Sequence, residues 1–366
     1  MAKSSRTVLD ALQQGLQRAF TDDERVLLLG EDVLDPYGGA FKVTRGLSTR
    51  FPERVLTTPI SEAAIVGVAG GMALRGLRPV VEIMFGDFVT LTADQVINHL
   101  TKFPHMYRQG VKVPVVIRTP MGGRRSYGAT HSQSLEKIFL GVPGLRVLAA
   151  HTYSDPAEQL YQAIIHTQTP LLFVEHKLLY TCPVFQVDEQ SEFEVRGNLQ
   201  GGMDGWVTQE REFALRLERF QGQADDWITR GVYRVRLRAA PPPQVTLAAY
   251  GYMAELARES MLTLAYEDEI FSELLVFTQI APLQSAALLD SLRVTGRLVT
   301  IEEGTLTLGW GAEVGVLAHE GLGSRLKGIR RVAAQDMLIP SARALEEQVL
   351  PSPSDIIKAV KDLMTS

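Results

Sequence analysis

Thr57-Thr58-Pro59-Ile60-Ser61-Glu62 lies between a strand-like run and a glycine-rich helix from Ala63 to Arg75. Ser61 is placed to cap that helix, which sets Glu62 in its first turn, where the helix dipole favours a carboxylate. Taken alone, the hexapeptide leaves two readings open, a dipole-placed surface acid and a catalytic one. The helix also carries Gly67, Gly70, Gly71 and Gly76. So many glycines cost helix propensity, which implies close packing against another backbone.

The same strand–loop–helix rhythm continues on both sides. Upstream, Thr7 to Phe20 has apolar residues at helical spacing, and Val26-Leu27-Leu28-Leu29-Gly30 reads as a strand buried on both faces. It runs into the turn-rich Asp35-Pro36-Tyr37-Gly38-Gly39, at the end where open α/β sheets hold ligands. Downstream, Pro79 to Phe85, Pro114 to Arg118, Leu145 to Ala149 and Leu171 to Glu175 read as strands. Asp87 to Lys102 and Asp155 to His166 read as helices between them. A loop with almost no apolar content, Met121 to Gln133, follows the third strand and contains His131. Strands and helices alternating at this spacing predict an α/β fold of parallel βα units.

The pattern divides the chain into a first domain over 1–187, a charged insertion and linker over 188–243, and a second domain over 244–366. The insertion has no clean βα alternation and holds Trp206 and Trp227. It ends in the stiff Ala239-Ala240-Pro241-Pro242-Pro243. The second domain repeats the alternation, with strands at Val245–Tyr250, Leu274–Phe277, Arg297–Glu302 and Ile329–Ala334. The intervening helices are Met253–Tyr266, Leu283–Val294 and Ala312–Leu326, and Pro353–Leu363 closes the chain.

Composition removes several classes of function. At 366 residues, 45% hydrophobic and 22% charged, the chain is an ordinary globular protein large enough for two domains. A net charge of −5 without a Lys/Arg block argues against nucleic acid as a partner. No apolar run reaches the length of a membrane span, and Met1 to Arg6 has no signal-type core, so a cytoplasmic location is expected. Cys182 is the single cysteine and reads as a packed thiol, and the seven histidines show no metal-ligand spacing, so no metal site is expected on this chain. Phosphate-loop and serine-elbow motifs are absent.

A family resemblance then enters on an ordered set of motifs. They are Gly30-Glu31-Asp32-Val33, Tyr37-Gly38-Gly39-Ala40-Phe41-Lys42-Val43-Thr44, Pro59-Ile60-Ser61-Glu62, Gly76-Leu77-Arg78-Pro79, Asp94-Gln95-Val96-Ile97-Asn98, His131-Ser132-Gln133-Ser134 and Pro143-Gly144-Leu145. Gly296-Arg297-Leu298-Val299, Glu302-Glu303, Asp336 with Pro340, and Leu345-Glu346-Glu347 continue the set. It closely resembles the beta subunits of thiamine-diphosphate-dependent 2-oxoacid dehydrogenases (pyruvate, branched-chain and acetoin), within the transketolase superfamily. The match covers about residues 7–187 and 244–366. The resemblance implies two parallel-sheet domains, a transketolase-like pyrimidine-binding domain followed by a transketolase C-terminal domain. It also implies an alpha2beta2 heterotetramer that decarboxylates a 2-oxoacid and passes the acyl group to a lipoyl acyltransferase component. The aminopyrimidine of thiamine diphosphate would be held by this chain, and the diphosphate and Mg²⁺ by the alpha subunit. This chain has no Gly-Asp-Gly triplet, since Gly86-Asp87 is followed by Phe88, as a beta chain should show.

Carried residue by residue, the resemblance makes Glu62 the carboxyl group that engages the aminopyrimidine, a task for an acid in a water-poor site. Ile60, Met84 and Phe88 align with positions lining that pocket. His131 matches the histidine that assists reductive acylation of the lipoyl group, which a neutral imidazole can do. Glu31 is a candidate neighbouring carboxylate. Departures from the family pattern are the length of 188–238, the basic Arg124-Arg125, and Val276 to Leu283 where an Asp-Leu-Arg is usual. Two alternatives remain at this point: a split transketolase-like carboligase or acyl-transfer enzyme of specialised metabolism, and a non-catalytic assembly subunit. For a chain that only half holds its cofactor, Glu62 is expected to lack a partner of its own.

Overall fold

The computed structural model describes residues 6–185, 191–198 and 231–365, and Trp206 and Trp227 lie outside the described residues. The chain divides into two compact units, Met1–Val184 and Phe185–Ser366. Among the described residues, no helix is long and apolar enough to cross a membrane.

The first unit contains α1 (Val8–Asp22), β1 (Val26–Gly30), α2 (Leu47–Arg50), β2 (Val55–Thr57), α3 (Glu62–Leu74), β3 (Arg78–Glu82), α4 (Phe103–Met106), β4 (Val116–Met121), β5 (Arg146–Ala149), α5 (Pro156–His166) and β6 (Leu171–His176). Its strands lie in the order β5-β6-β4-β3-β1-β2, and every neighbouring pair is parallel. β1, β3, β4 and β6 are buried end to end, as expected of apolar strands covered on both faces. A parallel sheet brings all its carboxyl ends to one edge. Glu31, Glu62, Met84, His131 and Lys177 all follow a strand on that edge.

Four expectations are corrected. Ser61 occupies the N-cap position but makes no side-chain capping bond; true capping boxes occur at Thr7 with Asp10 and at Ser352 with Asp355. Gly67 and Gly70 of α3 meet side chains rather than a backbone. A Cβ at Gly70 would come 2.7 Å from Leu100, while Gly71 has nothing within 4 Å. The helix expected over Asp87–Lys102 is a 3₁₀ stretch at Gly86–Thr92 followed by a π turn at Gln95–Leu100. Thr90 and Thr92 donate their hydroxyls to Asp87 O (2.9 Å) and Val89 O (2.7 Å), three residues back, which fits the tighter winding. Likewise, β3 ends at Glu82, so Met84 and Phe85 stand beyond the strand.

The second unit contains β7 (Phe193–Asn198), β8 (Val232–Leu237), β9 (Val245–Ala249), α6 (Met253–Asp268), β10 (Ser272–Phe277), α7 (Ala286–Thr295), β11 (Arg297–Thr305), α8 (Trp310–Leu322), β12 (Gly328–Ala334), α9 (Arg343–Val349) and α10 (Pro353–Met364). The sheet order is β12-β11-β9-β10-β8-β7. The first four strands are parallel, but β8 runs antiparallel to β10, and β7 antiparallel to β8. The sheet is therefore mixed rather than purely parallel, because the stretch expected as an irregular connector supplies two strands at its ends. Phe193, Val195, Val232, Tyr233 and Val235 are buried there, a pattern that the interleaved Arg and Glu residues obscured.

The loop after β1 folds over the end of β3. The Asp35 carboxylate accepts the Thr49 hydroxyl (2.6 Å), the Thr49 N–H (2.9 Å), the Gly46 N–H (2.6 Å) and the Ser48 hydroxyl (2.9 Å). Those donors, the Thr49 hydroxyl foremost, hold its carboxyl well below the usual carboxylate range. Gly39 has φ +76°, and a Cβ there would sit 2.3 Å from Glu82 Oε1. Glu82 cannot yield, because it is paired with Arg118. Gly39→Ala is therefore expected to destabilise the chain by about 2–4 kcal/mol, combining a left-handed backbone with an overlap. Urea unfolding read by circular dichroism measures it, and an unchanged midpoint would show that the loop moves aside.

Candidate active site

Glu62 begins α3 and is 7% exposed. Among the described residues it has no hydrogen bond or ion pair, and its charge acts on Glu31, itself 8% exposed. Burial pushes the Glu31 carboxyl up from its ordinary value, and Glu62 and Asp32 add to the rise, while the Ser61 N–H opposes it. Glu31 Oε1 is buried with no hydrogen-bond partner. Ile60, two residues before Glu62, is 83% exposed.

A raised carboxyl pKa in the folded state means that Glu31 favours folding below its ordinary value. That contribution is lost as pH rises through the folded value. Glu31→Gln is therefore expected to raise the melting temperature at pH 7.5 by about 2–4 °C, the effect of about 1 kcal/mol in a unit of this size. The gain should vanish at pH 4, where both forms are neutral. A gain that persists at pH 4 would mean that packing, not charge, is responsible.

His131 ends the polar loop after β4. Its ring stands edge-on to Phe85 (centroids 4.7 Å apart) and Phe88 (5.3 Å). Thr130 Oγ1 lies 2.9 Å from His131 Nδ1, which engages that nitrogen and leaves Nε2 for other chemistry. Phe85 is the hub of an aromatic group that also includes Phe41 (5.5 Å), Phe88 (6.1 Å) and Tyr127 (6.2 Å). Met84 and Phe88 are half-buried. The structure thus brings Phe88 and His131 into contact and leaves Glu62 within electrostatic reach of Glu31. Among the described residues, no hydrogen bond joins Glu62 to His131. They follow β2 and β4, three strand spacings apart, about 14 Å at about 4.8 Å per strand. Met84 follows β3, between them. Such a row can be spanned by one elongated ligand, touched by an acid at one end and an imidazole at the other.

Several residues of the site are not evident in the sequence. Beneath the aromatic group, Arg118 Nε and Nη2 donate to Glu175 Oε1 (2.9 Å) and Oε2 (2.6 Å), and Arg118 Nη1 pairs with Glu82. Tyr180 donates its hydroxyl to Glu175 Oε2 at 2.6 Å. All four are buried. The signal for three of them was a charge within an otherwise apolar strand run, at Glu82, Arg118 and Glu175. Gln133 Nε2 donates to Asp87 Oδ1 at 2.8 Å, tying the His131 loop to the turn that carries Phe88.

Comparisons with known proteins agree with this architecture. Residues 4–183 match the transketolase pyrimidine-binding domain and residues 235–356 the transketolase C-terminal domain. The chain is 33% identical to the pyruvate dehydrogenase E1 component subunit beta-2, mitochondrial, of Oryza sativa, over 98% of this chain and 86% of that protein. It is 31% identical to the acetoin:2,6-dichlorophenolindophenol oxidoreductase subunit beta of Cupriavidus necator, over 97% of this chain and 96% of that protein. A solved split-gene transketolase, described as an inactive beta4 tetramer, has the same fold, with a TM-score of 0.68, 20% identity and 97% of both chains covered. The paired domains and the full-length similarity together show that the chain belongs to the family of pyruvate and acetoin dehydrogenase E1 beta subunits.

Proposed function

We propose that the chain is the beta subunit of a 2-oxoacid dehydrogenase decarboxylating component, acting with an alpha subunit, thiamine diphosphate and a lipoyl carrier. The observation that carries this is Glu62, a buried carboxyl group without a partner on its own chain, at the sheet edge that also bears His131. These residues fit the cofactor's aminopyrimidine: an unpaired buried acid, half-buried Met84 and Phe88 as an apolar wall, and an exposed Ile60 awaiting cover. When bound, thiamine diphosphate supplies the carbon centre that adds to the 2-oxo carbonyl and accepts the electron pair released with carbon dioxide. The diphosphate and Mg²⁺ belong, in this proposal, to the alpha subunit.

Glu62 would hold or return one proton at a ring nitrogen of the aminopyrimidine, with Glu31 as the neighbouring carboxyl group. Phe88 and Phe85 exclude water around the His131 imidazole, which donates a proton from Nε2 to the sulfur released when the lipoyl S–S bond opens. The carboligase alternative has fold similarity alone behind it.

The test is to purify the chain with candidate alpha subunits and measure 2-oxoacid-dependent reduction of ferricyanide, with thiamine diphosphate and Mg²⁺ present. The pair is expected to turn over and the isolated chain to be inert. Silence with every alpha subunit that binds it would sink the proposal.

A further inference from the structure

We propose that Lys177, a residue the catalytic scheme above does not use, is the positioning residue for His131. This rests on the proposed dehydrogenase function only for its consequence in turnover, since the tether itself is read from the fold. Lys177 is fully buried, 0% exposed. Its Nζ donates to the His131 main-chain carbonyl and lies 5.4 Å from both the Phe85 and Tyr127 ring centroids. Its own N–H donates to Met121 O (3.1 Å), extending the β4–β6 ladder, and its carbonyl accepts from Arg125 Nη2 (3.0 Å). One residue therefore engages the loop that carries His131 at its start, its middle and its end.

That loop needs an external hold. Gly122, Arg124, Ser126 and Gly128 all have positive φ, so it forms no regular ladder. The backbone bonds Gly122 N–Gln133 O and His131 N–Gly128 O are both long, at 3.4 Å. A buried ammonium costs several kcal/mol in desolvation unless its protons are well placed. A lysine kept there under the imidazole-bearing residue answers that cost with a hydrogen bond to the backbone of His131. The Gln133–Asp87 bond at 2.8 Å holds the chain two residues further on. His131 is thus fixed from both sides, and its ring stays edge-on between Phe85 and Phe88. Lys177 donates to the main-chain carbonyl of His131, so it acts through that residue. A displacement of about 1 Å can cost a rate factor of order 10².

The two half-reactions separate positioning from general structure. In reductive acylation the lipoyl S–S bond breaks, one sulfur takes the acyl group and the other a proton, and the electron pair left by decarboxylation reduces the disulfide. With ferricyanide the electrons go to the dye and the acyl group to water, with no sulfur to protonate. In the alpha–beta complex loaded with thiamine diphosphate and Mg²⁺, Lys177→Met is expected to slow transfer to lipoamide at least about tenfold. The ferricyanide rate and the KM for the 2-oxoacid should stay within about twofold of the parent, since ferricyanide reduction makes no use of His131. In a His131→Ala background Lys177→Met should change little, because both act through one group. Lys177→Gln, polar but too short to reach the carbonyl, replaces Lys177→Met if the latter fails to assemble. Backbone hydrogen exchange of the chain alone gives a readout independent of turnover: residues 122–133 should exchange faster in the variant, with β1 unchanged. Unchanged exchange there, or a parallel loss of both half-reactions, overturns the proposal. A parent complex that never reduces ferricyanide sinks the dehydrogenase function instead, and the exchange result then decides the tether.

Discussion

Glu62→Gln is expected to lower 2-oxoacid turnover of the alpha–beta complex by about 10²–10⁴-fold, the contribution of a positioned acid–base group, without weakening the fold. The amide keeps the volume and shape of the carboxyl group but cannot pass a proton to a ring nitrogen. Glu62 is buried, carries no hydrogen bond or ion pair among the described residues, and faces the charge of Glu31. Its removal therefore breaks no stabilising contact and relieves a repulsion. The melting temperature of the isolated chain should stay level or rise by about 1–3 °C, as is common where an active-site group opposes stability. Full activity in the variant would return Glu62 to the status of a helix-dipole acid. Activity lost together with the fold would make it a structural residue. Either result would separate the family resemblance from the chemistry assigned to this chain.

The α/β alternation was legible because strands buried on both faces are continuous apolar runs, as at Val26–Gly30 and Leu171–Val174. The place of Glu62 was legible because the strand–loop–helix junction sets it in the first turn of α3, at the carboxyl edge, while its role was read from the resemblance alone. Less legible were features set by geometry between strands distant in sequence. Glu82, Arg118 and Glu175 each resemble the polar end of a strand, and only the parallel register, which pairs Glu82 with Arg118 and Arg118 with Phe173, shows them to share one buried face. Lys177 was invisible for the same reason: its partner, the His131 carbonyl, lies 46 residues away. The helix expected over Asp87–Lys102 failed because threonine hydroxyls compete for backbone carbonyls, which apolar periodicity cannot register. β7 and β8 were missed because β7 and β10 are joined only through β8, a pairing that burial among Arg and Glu residues does not announce.

Arg118→Met is expected to be the most destabilising single change in the first unit, by about 3–5 kcal/mol, because it leaves two buried carboxylates without their cation. Arg118 is 1% exposed, forked onto both oxygens of Glu175 and paired with Glu82. Burial pulls its guanidinium down, but Glu175 and Glu82 outweigh that and hold it above its ordinary value. Burial pushes the Glu82 carboxyl up, and Glu175 adds to the rise, while Arg118 restrains it. The sign of the pH dependence follows. A carboxyl whose folded value is raised binds its proton more readily in the native state, so it favours folding at low pH and loses that advantage as pH rises through the folded value. Without Arg118 the restraint on Glu82 disappears, and its ionisation becomes more costly still. The deficit of Arg118→Met should therefore be largest near pH 7.5 and shrink towards pH 5, as protonated Glu82 stands in for the missing charge. Arg118→Lys keeps the charge but loses the fork onto Glu175, so it should fall between parent and Met variant. Urea titrations at the two pH values measure the difference directly. A deficit that does not change with pH would mean that Arg118 stabilises the sheet by packing its stem, and that Glu82 and Glu175 are satisfied without it.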